Sequence, residues 1–208
     1  KDLKNKNSSI KALAYQLYEN NGVLKRDQVS EYLKKLDQND RKILRDLGVK
    51  FGRYHVFLFR LIKPEPVSLR TLLWKNYNQK YLNLEPPKFG LNFLNDKKIQ
   101  NKNFMLLCGF EKFNNLYVRI DILERLFVQI INSDTKDIKE VRMIPEMLNL
   151  LGCNKENFKQ LLRAMNYKIL EKNNEVFFKY KPKKKINFKN KENIKENPFG
   201  ILKNLNLN

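Results

Sequence analysis

The chain of 208 residues carries 42 Lys and Arg residues against 22 Asp and Glu residues, a formal net charge of +20 at pH 7. Its hydrophobic fraction of 42% supplies enough apolar side chains for a buried core, which excludes a chain that is disordered throughout. A charge excess of this size opposes compaction and indicates a polyanionic partner. Nucleic acid fits best, because Lys and Arg that neutralise phosphates release condensed counterions. An anionic membrane surface is the competing partner.

Residues 1–84 are predicted to form a helical domain. Helical spacing of apolar side chains recurs in three stretches, at residues 10–17, 29–36 and 43–47. Asp37 precedes Asp40 at capping-box spacing, and Gly48 ends the third helix. The apolar run at residues 54–59 suits a buried strand and a buried helix equally. Helical spacing returns at Leu69, Leu72 and Leu73, with Trp74 as an expected core anchor.

Residues 85–136 are predicted to form an α+β connecting region. Pro86-Pro87 marks the boundary, and residues 92–103 have the polar composition of a loop. Residues 116–120 alternate as a short strand. Asp121 then caps a helix, with Glu124 at capping-box spacing and an apolar face made by Leu123, Leu126, Phe127 and Ile130.

Residues 137–181 are predicted to form a winged-helix-like module. One short helix begins at Pro145 and ends at Gly152, and Asn154 caps the next. Strand-like segments follow at residues 167–170 and 176–180, joined across Asn173-Asn174. Helix, tight turn, helix and hairpin is the order of a winged helix-turn-helix. The whole chain is therefore predicted to be mainly α with small β elements, and no internal sequence repeat is visible.

Residues 182–208 are predicted to form a disordered basic tail that starts with Lys183, Lys184 and Lys185. These three lysines are candidate nucleic-acid contacts. The tail ends in a short apolar motif, in which Phe199, Leu202 and Leu205 are predicted to bind a partner protein, the alternative being a frayed terminus.

The predicted module carries two groups of candidate nucleic-acid contacts. Lys155, Lys159 and Arg163 are spaced by four, so they share one ridge of the second helix, which a helix-turn-helix presents to a groove. The alternative is an ordinary solvated face. The hairpin carries a second group of cations, with Phe177 and Tyr180 interleaved for base stacking or for packing: Lys168, Lys172 and Lys179.

A third group flanks the aromatic run near the middle of the first domain. Lys50, Arg53 and Arg60 form either a second backbone-contacting surface or the charged ends of a core strand. His55, the single histidine, is expected to be a satisfied, partly buried residue, because no Ser, Cys or carboxylate partner is suggested nearby.

The motifs of several enzyme classes are missing from the sequence. It contains no GxxxxGK[ST] loop, no DExH-like box, no HExxH and no GxSxG. Without a phosphate cradle and a magnesium-holding carboxylate, we expect no ATP hydrolysis, no catalytic residues and no cofactor in this chain. Cys108 and Cys153 with His55 cannot supply the roughly four ligands of a structural zinc site.

Transport signals are also missing. No run approaches the roughly 18 apolar residues of a spanning helix, and the amino end has no signal-peptide pattern. Two separate cysteines suit a reducing compartment, so the expected location is the cytoplasm.

Several stretches resemble the region that follows the motor in bacterial DExH-box helicases related to the mitochondrial RNA-degradosome helicase. The most specific block is LGVKFGRYHVF at residues 47–57, followed by LIKPE at 61–65 and LRTLLW at 69–74. Further similarity occurs at residues 118–126, 145–153 and 161–167, and at Pro198-Phe199 with Leu202. The similar stretches lie within roughly residues 8–180 and the terminus. The two-lobed motor itself has no counterpart here.

The resemblance implies a non-catalytic helicase region that guides the nucleic-acid strand, with the motor in cis or on another chain. ATP and magnesium are then expected only for the motor. RNA is the expected substrate ahead of DNA, and no membrane partner is expected. Two alternatives are a stand-alone winged-helix DNA-binding regulator and a structural RNA- or ribosome-associated protein.

Overall fold

The computed structural model describes residues 8–96, 101–133, 140–172 and 175–181. This part of the chain is mainly α-helical, with nine short strands arranged in three antiparallel sheets of three strands each. The expected fold class, mainly α with small β elements, is confirmed at this level.

The first unit comprises residues 8–58. Its elements are α1 (Ser8–Glu19), β1 (Val23–Lys25), α2 (Ser30–Lys34), α3 (Gln38–Asp46), β2 (Val49–Phe51) and β3 (His55–Leu58), with the strand order β1-β3-β2. The cap at Asp37 is confirmed, since its Oδ1 accepts a hydrogen bond from the Asp40 backbone at 2.6 Å. The ambiguous apolar run forms a strand, and a short 3-10 helix (Phe59–Ile62) follows it. The part of residues 1–84 predicted to form a helical domain thus also contains a small sheet, whose strands β1 and β2 have only three residues each and leave no readable period.

The second unit comprises residues 64–119. It contains α4 (Pro64–Tyr77), a 3-10 turn (Gln79–Tyr81), β4 (Phe93–Asn95), α5 (Lys102–Leu107), β5 (Phe110–Phe113) and β6 (Leu116–Arg119), with the strand order β4-β6-β5. The interpretation of residues 92–103 as a loop was wrong, because β4 pairs with β6 there and α5 begins at Lys102. Trp74 is half-buried and stacks on Tyr81 with ring centroids 5.4 Å apart.

The third unit comprises residues 120–180. It contains α6 (Ile120–Ser133), β7 (Val141–Arg142), α7 (Pro145–Leu151), α8 (Lys155–Ala164), β8 (Tyr167–Lys172) and β9 (Glu175–Tyr180), with the strand order β7-β9-β8. The predicted helix start at Pro145, the left-handed stop at Gly152 (φ 68°) and the Asn154 cap are confirmed. Phe158, Leu161, Leu162 and Met165 face the core as predicted. The turn at Asn173-Asn174 lies outside the described residues.

One order of elements therefore occurs three times. Each unit has a long first helix, a short strand, one or two shorter helices and an antiparallel pair whose last strand lies in the middle of the sheet. No matching sequence repeat accompanies it, because a shared topology needs only similar patterns of apolar and polar residues, not similar residues.

The units share core residues with one another. The largest apolar cluster combines Phe93, Leu116 and Val118 of the second unit with α6, α7 and α8. A small cluster of Val23, Phe57, Ile62 and Ile120 ties the first unit to the start of α6. The domain boundaries expected near residues 84 and 136 stay a prediction.

Candidate nucleic-acid interface

A cleft of about 910 Å³ lies between the first and third units. Its first wall comes from β1 and from the turn between β2 and β3, which supplies Arg53 and Tyr54. The opposite wall comes from the end of α8 and from β9, which supplies Lys179 and Tyr180. Residues far apart in the chain thus bring cationic and aromatic side chains to one concave surface.

The aromatic side chains of this cleft contact one another. The Tyr54 ring packs on Phe127 of α6 with centroids 3.8 Å apart, and the Tyr167 and Tyr180 rings meet edge to face at 5.4 Å. Tyr54 and Tyr180 keep 38% and 49% of their surfaces exposed, so ring surface remains open to the cleft. Burial raises the pKa of both Tyr54 and Tyr167 above the usual value of about 10.

Four cationic side chains line the same cleft: Lys25, Arg26, Arg53 and Lys179. Arg26 donates from Nη1 to the Gly52 carbonyl at 2.6 Å, and Lys25 pairs with Glu111. Arg53 and Lys179 are exposed and have no ion-pair partner among the described residues. Free cations of this kind bind phosphate oxygens readily.

A charged clamp of Lys25, His55, Glu111 and Glu124 forms the base of the first wall. Nδ1 of His55 lies 3.2 Å from Oε1 of Glu124, and Nε2 lies 3.3 Å from Oε2 of Glu111. Lys25 donates from Nζ to Oε1 of Glu111 at 2.8 Å. The clamp joins β1 and β3 of the first unit to β5 of the second and α6 of the third.

The clamp favours a doubly protonated His55, since each ring nitrogen faces a carboxylate oxygen that can only accept. Burial alone lowers the pKa of His55, but hydrogen bonds to Glu111 and Glu124 outweigh it and raise the pKa above its usual 6.5. Burial alone raises the pKa of Glu111, but hydrogen bonds from His55 and Lys25 lower it below its usual value. Cations and carboxylates in the clamp therefore neutralise each other.

The Glu124 carboxylate also holds the backbone of the turn that carries Tyr54. Its oxygens accept hydrogen bonds from the backbone N–H groups of Arg53, of Tyr54 at 3.0 Å and of His55 at 2.8 Å. A Cβ atom on Gly52 would overlap this carboxylate, so only glycine lets the turn approach so closely. Glu124 is thus a long-range anchor, and its interpretation as a helix-capping residue was wrong.

The expected ridge on α8 is only partly present. Lys155 and Arg163 are exposed and have no ion pair with a described residue. Lys159 is 9% exposed and pairs with Glu171 at 2.8 Å and Glu156 at 3.1 Å, which raises its pKa. The prediction of three exposed cations was wrong for Lys159, because the hairpin folds back and places Glu171 over it.

The hairpin cations lie on the open side of the third sheet. Lys168 pairs directly across from Lys179, and both side chains are exposed. Lys172 forms an ion pair with Glu140 at 2.7 Å, and its Nζ lies 5.9 Å from the Phe177 ring centre. Lys168 and Lys179 are therefore the hairpin cations that remain available to an anion.

The other predicted contacts fall in two places. Lys50 on β2 and Arg60 in the 3-10 helix are exposed, and Arg53 is the one of this group that lines the cleft. The six tail residues lie outside the described part of the chain: Lys183, Lys184, Lys185, Phe199, Leu202 and Leu205.

Sequence reasoning missed the partners of His55. Glu111 and Glu124 stand 56 and 69 positions away from His55 in the chain, so no local spacing could have paired them. The sequence showed Tyr54 only as a member of an apolar run, and no sequence pattern marked Arg26 as a candidate contact. His55 was expected to be satisfied and only partly buried; its ring nitrogens do have partners, but the residue is fully buried, at 2% exposed, and the partners are carboxylates.

No protein-family model matches this chain, and a comparison with curated proteins returned no significant match. Of the helices in the described ranges, not one has the length and apolar character that crossing a membrane requires. Within the same ranges, no group of three or more His, Cys, Asp and Glu side chains converges as a metal site.

Proposed function

We propose that this chain is a non-catalytic nucleic-acid-binding region of an ATP-dependent RNA or DNA helicase, which guides the strand and contacts partner proteins. The observation that carries the proposal is a set of exposed cations on the third unit and on the facing turn of the first unit. None of these cations has an ion pair with a described residue. They are Arg53, Lys155, Arg163, Lys168 and Lys179.

The pairing of Lys168 with Lys179 is the sharpest part of this observation. Like charges directly opposite each other on neighbouring strands repel and destabilise a sheet. Lys172, four residues further along β8, forms an ion pair with Glu140, whereas Lys168 and Lys179 form none with a described residue. An anion bound across the hairpin would remove the repulsion, and a phosphodiester backbone supplies such anions in series.

The order of elements in the third unit supports a winged helix-turn-helix. In this assignment α7 and α8 form the helix-turn-helix, α8 is the groove-facing helix, and β8 with β9 forms the wing. Lys155 and Arg163 then lie on the groove-facing helix, while Lys168 and Lys179 lie on the wing. In such modules the groove-facing helix approaches the nucleic acid directly, so these cations would lie close to it.

The helicase part of the proposal rests on the resemblance at residues 47–57. This stretch forms β2, the turn and most of β3, and it supplies Arg53, Tyr54 and His55 to the cleft. The resembling residues therefore lie at the cleft itself, which favours a role in handling the strand. RNA is the proposed substrate ahead of DNA, and the motor is proposed to lie elsewhere in the same protein or on a partner.

Salt dependence tests the nucleic-acid part. Replacing Lys155, Arg163, Lys168 and Lys179 together by Ala should weaken binding to a generic single strand. If all four cations contact phosphates, the log–log salt slope should become shallower by up to about three units. The matched control replaces four other exposed lysines by Ala, on α1, α2, α3 and α5: Lys11, Lys34, Lys42 and Lys102. Equal losses in both variants would contradict a localised interface.

ATP hydrolysis and strand unwinding test the helicase part. The isolated chain should release no phosphate from ATP, with or without RNA, because it lacks a phosphate cradle. Added to a matching motor, it should increase unwinding, and the four-alanine variant should do so less. Persistent ATP turnover by the purified chain would contradict the assignment.

A stand-alone winged-helix DNA-binding regulator is the second candidate, favoured by the same order of elements. It would bind a specific duplex site far more tightly than a generic one. Selection from a random duplex library separates the two candidates, since the helicase region should return no preferred site.

A further inference from the structure

We propose that the cleft between the first and third units is a site for unpaired bases, which stack on Tyr54 and Tyr180 while Arg53 and Lys179 bind the adjoining phosphates. This rests on the proposed nucleic-acid function and adds the substrate class, single-stranded nucleic acid, and the place where it binds.

The first argument is the shape and lining of the cleft. Its volume of about 910 Å³ lies within the range of about 300–1,000 Å³ that is usual for small-molecule sites, which nucleotide-sized groups can fill. Apolar and aromatic side chains make up much of the lining, among them Phe113, Phe127 and Phe178. Such walls accept the flat faces of bases and leave the charged backbone at the rim.

The second argument is the aromatic surface. Phe127 packs on the Tyr54 ring, which keeps 38% of its surface exposed, and Tyr180 is 49% exposed beside Tyr167. A base in a duplex has its faces covered by its neighbours and offers only edges. Aromatic residues that stay partly exposed inside a cleft therefore suit unpaired bases, which no longer stack on their neighbours in a duplex.

The third argument is the position of the tyrosine. Glu124 accepts hydrogen bonds from the backbone N–H groups of Arg53, Tyr54 and His55, so the turn that carries Tyr54 is held at three consecutive residues. A ring placed in advance loses little conformational entropy when a base stacks on it.

The fourth argument is the charge of the cleft. Glu111 would repel a phosphate, but Lys25 and His55 both contact its carboxylate. Asp27 is an exposed acid of the lining, and its Oδ1 accepts from the Gln28 backbone. Arg53, Lys179 and Arg26 outnumber it, so the rim carries net positive charge.

The experiment measures binding of the full chain to three oligonucleotides of equal length: a single-stranded RNA, an abasic single strand and an RNA duplex. The abasic strand keeps the phosphates and lacks the bases. We expect the RNA single strand to bind about tenfold more tightly than the abasic strand, which corresponds to about 1.4 kcal/mol and lies within the range for one stacked base. A 2-aminopurine base in the strand should lose fluorescence on binding.

Three variants assign this preference to the cleft. Tyr54→Leu and Tyr180→Leu should each weaken single-strand binding severalfold and leave the abasic strand unaffected. Tyr54→Phe keeps the aromatic ring and loses only the hydroxyl that interacts with Tyr167, so it should retain most of the preference for the base-containing strand. A folding defect would instead lower the binding of all three strands. The matched control is Tyr77→Leu, because Tyr77 is 91% exposed at the end of α4 and does not line the cleft.

The possible failures are distinguishable. Equal binding of abasic and base-containing strands, with no effect of the two leucine variants, would overturn base stacking and leave the proposed function standing. Equal or tighter binding of the duplex would overturn the single-strand assignment. Binding of none of the three strands at low salt would overturn the proposed function itself.

Discussion

The helices α4 and α6 have the same length and the same place in their units, yet they bury very different surfaces. Each has 14 residues and opens a unit. In α6, seven residues are buried, including Leu123, Leu126 and Phe127, whereas in α4 only Val67 and Thr71 are. The apolar stripe of α4 faces outward instead, with Leu69, Leu72 and Leu73 exposed by 59%, 62% and 58%.

The difference comes from which elements cover each helix. α6 lies against α7 and contributes to the largest apolar core, while Glu124 on it holds the turn of the first unit. α4 packs on α5 and on the 3-10 segments beside it, through Val67 and Trp74. Periodicity in a sequence thus identifies an apolar face, but the packing of other elements decides whether that face is covered.

The largest expected effect comes from a leucine pair. Leu126→Ala on α6 should destabilise the fold by about 2–5 kcal/mol, because the side chain is fully buried and leaves a cavity. Leu72→Ala on α4 should change stability by less than about 0.5 kcal/mol, because its side chain already meets solvent. Urea unfolding of both variants gives the two values, and similar losses would contradict the comparison.

A second, smaller contrast compares Glu124 on α6 with Glu65 on α4. In Glu124→Gln an amide nitrogen replaces one carboxylate oxygen, so one of the backbone donors of Arg53, Tyr54 and His55 loses its acceptor. We expect a loss of about 1–3 kcal/mol. Glu65→Gln in the first turn of α4 is the control, since Glu65 is exposed, and it should be close to neutral. An equal response of the two variants would argue against the anchor.

The clamp predicts how stability depends on pH. The pKa of His55 is raised in the fold above its usual 6.5. Its contribution to stability is therefore full below about pH 6.5 and is lost as pH rises through the raised folded pKa. Glu111 acts at the other end, because its lowered pKa means that its contribution is lost as pH falls below its usual value of 4.5 and through the folded pKa.

Chemical unfolding measured across this pH range checks the prediction. His55→Gln should be less stable at pH 6 and should remove most of the decline above pH 6.5. A curve for His55→Gln that runs parallel to that of the original chain would show that another group produces the decline.

The smallest expected effect concerns the outward face of α4. Leu69→Gln, Leu72→Gln and Leu73→Gln should each change the free energy of unfolding by less than about 0.5 kcal/mol, since no core contact is lost. The same substitution at Leu123 on α6, which is 1% exposed, is the control and should be severe. Thermal unfolding compares the substitutions on the two helices. A severe loss of stability for Leu72→Gln would show that the outward face of α4 is covered by another part of the protein.

Local features were predictable because their physics is local. Asp37 and Asn154 cap helices through a hydrogen bond to the backbone three residues on, and a turn with positive φ at Gly152 ends α7. The hairpin was predicted from strand-like segments at residues 167–170 and 176–180, and both strands are longer in the structure, with six residues each. The three-residue strands β1, β2 and β4 were missed, because so short a segment shows no period.

The amino-acid sequence by itself determined the basic character, the mainly helical class, most helix caps and the groups of candidate cations, since composition and neighbours within about four residues set these properties. Only the tertiary structure decided which of those residues meet. It buried Lys159 under Glu171, left the stripe of α4 in solvent and placed two carboxylates against His55. Such pairings depend on how separate elements pack, and the partners of His55 lie 56 and 69 positions away, beyond the reach of any local pattern.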